Sequence, residues 1–204
     1  MRHALALLAL LLPGTALAEE AGLLGALRAG GLVVFLRHAE TGPANPDSAN
    51  AVVGDCATQR NLNAAGRVQA AEIGEAFRTL GIPVGEVLAS PFCRTMETAT
   101  LAFGRVEPAP GLALERHLDA AAHARMGEAL RALIPDAPPP GGNLVLVGHS
   151  YHLIHAGGPR LEPQGAAAVL RPEGGGRFTL LGQVAPDGWL RLAPPEPLRL
   201  TEVR

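Results

Sequence analysis

The sequence predicts an α/β protein, a three-layer sandwich whose mostly parallel central sheet carries helices on both faces. Two observations lead there. Apolar runs at residues 31–36, 86–89 and 143–147 do not alternate with polar residues, so each suits a strand buried on both sides. The segments between them place apolar residues at helical spacing. Strand, helix, strand, helix, strand is the order from which a covered parallel sheet is built.

Residues 1–18 read as a secretory leader. Arg2 supplies a positive start, Ala4 to Leu12 form a short apolar stretch, Pro13-Gly14 break it, and Ala16-Leu17-Ala18 offers a small-residue cleavage site. The stretch is short for a bilayer span. A mature chain starting at Glu19 is therefore expected in the periplasm or secreted, with no stable membrane insertion and residues 19–204 forming a single domain.

Glu19 to Ala29 fits a short helix stopped by Gly30-Gly31, and Gly31 to Leu36 the first strand. Residues 42–60 are rich in Gly, Pro, Asn and Asp and predict a long loop. Loops of that length in compact domains are usually functional or disordered, and Gln59 and Arg60 would add polar contacts to a pocket. A helix follows from Asn63 to Leu80, its apolar stripe made by Ala70, Ile73, Phe77 and Leu80, with Gly81 closing it. Glu86 to Ala89 is the second strand. Ser90 then suits an N-cap and Pro91 the first position of a helix. Asp119 to Leu133 is a further helix, apolar at Ala122, Met126, Leu130 and Leu133, with Asp119 as its N-cap. Asn143 to Val147 runs as a third buried strand into Gly148-His149, and residues 166–192 suggest two or three more strands.

Composition narrows the function. The chain has 17 basic and 19 acidic residues and a formal charge of -2, which argues against a general nucleic-acid binder. Every basic residue is Arg, so Arg abundance alone signals nothing. Export gives the two cysteines a meaning: in an oxidising compartment, Cys56 and Cys93 are candidates for one disulfide.

Ligands of open α/β sheets bind beyond the carboxyl ends of the strands. Arg37 and His38 leave one such end, His149 leaves another, and Arg94 lies just after a third. Two guanidiniums aimed at one rim call for an anion, because their rigid forks match phosphate or carboxylate bidentately. Backbone N–H groups at the helix start around Ser90 to Arg94 would add donors. The neighbouring Arg charges lower the pKa of His38, and a neutral imidazole can attack phosphorus in line. His149, His152 and His155 recur every three residues, a spacing that a metal site can use. No Cys or acidic ligand accompanies them, so neither a metal nor another cofactor is expected. His152, His155, His117 and His123 are read as local hydrogen-bonding or surface residues.

Four blocks carry a family resemblance. "LRHAET" resembles the L-R-H-G-x-T motif of the histidine phosphatase (phosphoglycerate-mutase-like) superfamily. "LNAAGRVQA" resembles its L-T-x-x-G-x-x-Q-A helix start, "SPFCRTMETA" its S-x-x-x-R-x-x-x-T-A block, and "VLVGHS" its second-histidine strand. Ala39 and Ser150 stand where the family usually has Gly; both are small. The resemblance implies Arg37, Arg94 and His149 as phosphate-binding residues and His38 as the residue that becomes phosphorylated. "LERHLD" resembles the mutases' acid-bearing stretch, which implies Glu115 as proton donor, with Asp119 the competing acid. The expected protein is an exported phosphatase acting on small phosphomonoesters, with cell-envelope glycan phosphates suggested by location. The alternatives are a mutase-like phosphotransferase, and a non-catalytic module that binds phosphate or glycan phosphate.

Overall fold

The computed structural model describes residues 22–42, 51–115 and 119–193; the expected leader and the residues around Glu19 lie outside them. Helix α1 (22–29) is followed by β1 (Val33–Arg37), α2 (Ala64–Thr79), β2 (Val84–Ala89) and α3 (Cys93–Phe103). Then come β3 (Glu107–Pro108), α4 (Ala120–Leu133), β4 (Asn143–Gly148), α5 (Ser150–His155), β5 (Ala167–Gly174) and β6 (Arg177–Val184). The six strands form one sheet in the order β3-β2-β4-β1-β5-β6. β3, β2, β4 and β1 pair in parallel, while β5 and β6 add an antiparallel edge. The mostly parallel α/β sheet expected from the apolar runs is present.

Both faces of the sheet are covered, which explains why its strands do not alternate in polarity. Val34 and Leu36 of β1 and Val145 and Val147 of β4 pack with Leu24 and Leu27 of α1, Ile73 and Phe77 of α2, and Ala99 of α3. The residues between them, Val33, Phe35, Leu144 and Leu146, face the other way onto Leu130 of α4 and Leu153 of α5. Asn143 is buried at the start of β4 but fully used. It donates to Leu27 O and Pro83 O and accepts from Leu32 N–H, so three segments are pinned where the sheet begins.

The helix boundaries follow their caps. Asn63 accepts from Gly66 N–H at 2.6 Å and Asp119 from Ala122 N–H at 2.8 Å, as N-cap side chains do. Gly66 also has a packing reason: a Cβ there would sit 2.0 Å from Glu40 O, so α2 approaches the segment after β1 through a glycine. One expectation differs: β2 begins at Val84 rather than Glu86. Residues 166–192 hold two of the two or three strands expected, followed by a 3-10 turn at Trp189–Leu192. α5 and the two-residue β3 had no periodic signal because they are too short to show one.

Candidate active site

Strand register brings the predicted residues together. Arg37 of β1 lies opposite Gly148 of β4, and Ala89 of β2 lies opposite Val147. His38, His149 and Ser90 therefore leave three adjacent strands at one level. The His38 N–H bonds to Gly148 O at 3.0 Å and the Ser90 N–H to Val147 O at 2.9 Å, which extends the ladder into the rim. His38, Arg94 and His149 are 2%, 0% and 3% exposed.

The rings of His38 and His149 meet edge to face, with centroids 5.4 Å apart. His38 Nδ1 lies 2.8 Å from Ala39 O, and a carbonyl only accepts, so the proton sits on Nδ1. Its Nε2 then carries the lone pair. Burial is the largest cause that pushes the His38 pKa down to about 3, with the charges of Arg94, Arg37 and Arg60 adding to it. The Arg charges act in the expected direction, and burial adds the larger share. His149 is likewise held well below the ordinary imidazole range, first by burial and then by Arg94. Both rings are neutral at physiological pH, and neutral imidazole is the form that can attack.

Arg94 projects from the first turn of α3, and its guanidinium lies 4.7 Å from the centre of the Phe92 ring, a cation–π contact. Its Nη1 donates to Arg60 O at 3.3 Å. The Phe92 ring also meets His149 edge to face at 5.5 Å, so one aromatic side chain braces a cation and an imidazole together. Ala39 N–H donates to Thr98 Oγ1 at 3.0 Å, and Thr98 donates to Arg94 O, which ties the residue after His38 to α3.

Several assignments change. Ser90 and Pro91 do not open α3: the helix starts at Cys93 with Phe92 as a cap that makes no side-chain bond. Ser90 is fully buried instead, its Oγ 3.1 Å from His149 Nε2, so a hydroxyl suited to capping fixes the rotation of a ring. The first amide of α3 is not available to a ligand either, since Cys93 N–H donates to Gln59 Oε1 at 2.8 Å. Gln59 is 1% exposed and its Nε2 donates to Val52 O, so it pins the loop to α3 and does not reach a ligand. Arg60 does lend its charge to the site. Cys56 and Cys93 form the expected disulfide, which joins the same loop to the residue before Arg94.

Glu115 lies away from the buried cluster in character. A third of its side chain is exposed and both of its oxygens bind Arg125, one at 2.7 Å from Nε. Arg125 holds the Glu115 carboxyl below the usual carboxylate range. Asp119 spends its side chain on the cap of α4. His152 is buried, not a surface residue, 6.1 Å from His149 between ring centres, and burial pushes it down to about 4. His155 stacks on His123 at 4.0 Å, outside the cluster, and His117 is outside the described residues. Among the described residues, no group of three or more His, Cys, Asp or Glu is arranged to hold a metal.

Known proteins share part of this chain's sequence and its fold. Residues 33–120 match the model of the histidine phosphatase superfamily (branch 1), a span that contains Arg37, His38 and Arg94. No curated protein matches the chain in sequence. Among solved structures, the protein histidine phosphatase SixA complexed with tungstate aligns with a TM-score of 0.54 at 16% identity, covering 76% of this chain and 97% of its own. A phosphoserine phosphatase from Entamoeba histolytica complexed with phosphoserine aligns with a TM-score of 0.55 at 14% identity, covering 77% and 98%. A mycobacterial glucosyl-3-phosphoglycerate phosphatase aligns with a TM-score of 0.52 at 16% identity, covering 73% and 96%. At these identities the likeness establishes the fold. Over residues 33–120, from β1 to the start of α4, the chain is also similar in sequence to the histidine phosphatase superfamily.

Proposed function

We propose that the protein is an exported phosphatase that hydrolyses small phosphomonoesters through a phosphohistidine on His38. One observation carries the reading: two buried, neutral imidazoles face each other across 5.4 Å beside a fully buried Arg94. Burying a guanidinium at a strand-end rim costs free energy that an anionic guest offsets. In the proposed reaction His38 Nε2 attacks phosphorus while Arg37, Arg94 and His149 hold the non-bridging oxygens. The bond to the leaving oxygen breaks in line, and water then attacks the phosphohistidine and returns the imidazole.

Glu115 is the proposed donor of the proton that the leaving oxygen needs. Arg125 keeps it ionised in the unliganded protein, so it must take up a proton as the phosphate arrives. A nearby dianion favours that step by raising the carboxyl pKa. Two of the structural relatives are named for small phosphorylated molecules, one of them holding phosphoserine, which supports a substrate of that class.

Export is supported by the leader pattern and by the disulfide, which persists in oxidising compartments. Among the described residues, no helix is long and apolar enough to cross a membrane. An envelope location suggests glycan phosphates as the natural substrate class, and residues 19–204 are proposed to form one domain.

Release of inorganic phosphate from an aryl phosphate tests the proposal. Sustained turnover is the result expected. Transfer to an added sugar or acid without net release would make the protein a phosphotransferase. Saturable phosphate binding without turnover would make it a binding module.

A further inference from the structure

The segment 161–166, which none of the motifs includes, grips the catalytic end of β1 from the side. Leu161 O accepts from Arg37 Nη1 at 2.8 Å and from Ser150 Oγ at 3.0 Å, so one carbonyl bridges Arg37 to the residue after His149. The Gly165 N–H donates to His38 O at 2.9 Å, and Arg37 N–H donates to Ala166 O at 2.9 Å. Gln164 exchanges two bonds with Thr41, its Oε1 taking the Thr41 N–H and its Nε2 donating to Oγ1. Within this strap, Glu162 places Oε2 2.5 Å from Arg37 Nη1.

An Arg Nη1 carries two hydrogens. Leu161 O and the Glu162 carboxylate take both. The guanidinium is thereby committed to present its Nε–Nη2 edge, which is one of the two edges able to grip a phosphate bidentately. We infer that Glu162 is a positioning residue: it fixes the rotation of Arg37 so that this edge, and not the Nη1–Nη2 edge, meets the phosphoryl group beside His38. Stability is not the reason for the pair. Glu162 is 56% exposed, and pairs of that exposure contribute little to folding. Arg160, 3.9 Å from the other Glu162 oxygen, is too distant and too exposed to supply the same orientation.

The inference rests on the proposed role of Arg37 in phosphate binding, so Arg37→Ala is the reference. The experiment compares wild type, Glu162→Ala, Glu162→Gln and Arg37→Ala in kcat and KM on an aryl phosphate, in inhibition by inorganic phosphate, and in melting temperature. Glu162→Ala should lower kcat/KM about 10-fold, less than the ~100-fold that a 1 Å misplacement at a reacting centre can cost. It should also weaken phosphate inhibition and leave the melting temperature unchanged. Glu162→Gln keeps an oxygen that accepts from Nη1 and should recover most of the loss.

Wild-type kinetics in Glu162→Ala, or a Gln variant as poor as the Ala variant, would overturn the inference while Arg37→Ala still showed a defect. Tighter phosphate inhibition in Glu162→Ala would overturn it too, by making the carboxylate a competitor for Arg37. If Arg37→Ala itself behaved as wild type, the phosphate role of Arg37 would fall and the inference with it.

Discussion

At the ends of β1 and β4 and the start of α3, His38, His149 and Arg94 are at most 3% exposed. Ladder bonds, Phe92, Ser90 and Thr98 hold them there. The segment that leads into α4 is built differently: Glu115 keeps a third of its side chain in solvent and is held by Arg125, itself 57% exposed. An exposed ion pair of this kind is weak and easily rearranged. The contrast separates two parts of one proposed reaction. Phosphate capture and nucleophilic attack depend on preorganised, dry groups. Protonation of the leaving oxygen depends on a carboxylate that must change partner and charge during turnover.

The largest effect should come from breaking the rigid part. His38→Ala should reduce turnover on the order of 10⁴-fold or more, as when the nucleophile of a cooperating set is removed. Phosphate inhibition should change far less, because Arg37, Arg94 and His149 remain. Arg94→Ala should impair both inhibition and rate, since its charge serves ground and transition state alike. Steady-state kinetics with a phosphate inhibition series checks both variants.

Glu115→Gln should act only where the leaving oxygen needs a proton. Alkyl phosphates should lose on the order of 10²- to 10⁴-fold and aryl phosphates little. Arg125→Ala sharpens the point. Arg125 depresses the Glu115 pKa, so its removal raises that pKa, and the limb at which activity falls with rising pH should move to higher pH. Equal losses on alkyl and aryl substrates in Glu115→Gln would shift the acid role to Asp119 or to water.

The sequence made the buried part legible and the exposed part only by resemblance. Arg37 and His38 after a buried strand, His149 after another and Arg94 after a third already imply a shared rim, because parallel strands end together. Ser90 was misread because a Ser-Pro pair after a strand has the local chemistry of a helix start. Its use on His149 depends on a partner 59 residues away. Gln59 misled for the same reason: a polar side chain in a long loop looks free until Cys93 N–H is seen to claim it. The strap at 161–166 left no signal at all, since it works largely through backbone carbonyls and amides, which every sequence possesses.

A third prediction concerns the tie between loop and α3. Replacing Cys56 and Cys93 with Ser removes a crosslink between residues 37 apart. The chain-entropy model puts its loss at about 4 kcal/mol, an upper expectation. Urea unfolding of the oxidised protein and the double variant measures it. Because the loop carries Arg60, whose carbonyl holds Arg94, phosphate inhibition should weaken as well.

A further prediction is a pH dependence of stability. His38 has a folded pKa of about 3 against an ordinary 6.5, so below 6.5 the unfolded chain binds the proton that the folded one refuses. Stability should therefore fall as pH drops from about 6.5 towards 3, with His149, depressed in the same direction, adding to it. Denaturant midpoints across that range should drop less in His38→Ala than in wild type.

The central claim is covalent transfer to His38, and a rapid-quench experiment with labelled substrate tests it directly. Quenching in base and mapping the labelled peptide should find an acid-labile, base-stable phosphoryl group on the peptide containing His38, formed and lost at rates matching turnover. Label on Ser90, Ser150 or His149 instead would contradict the account.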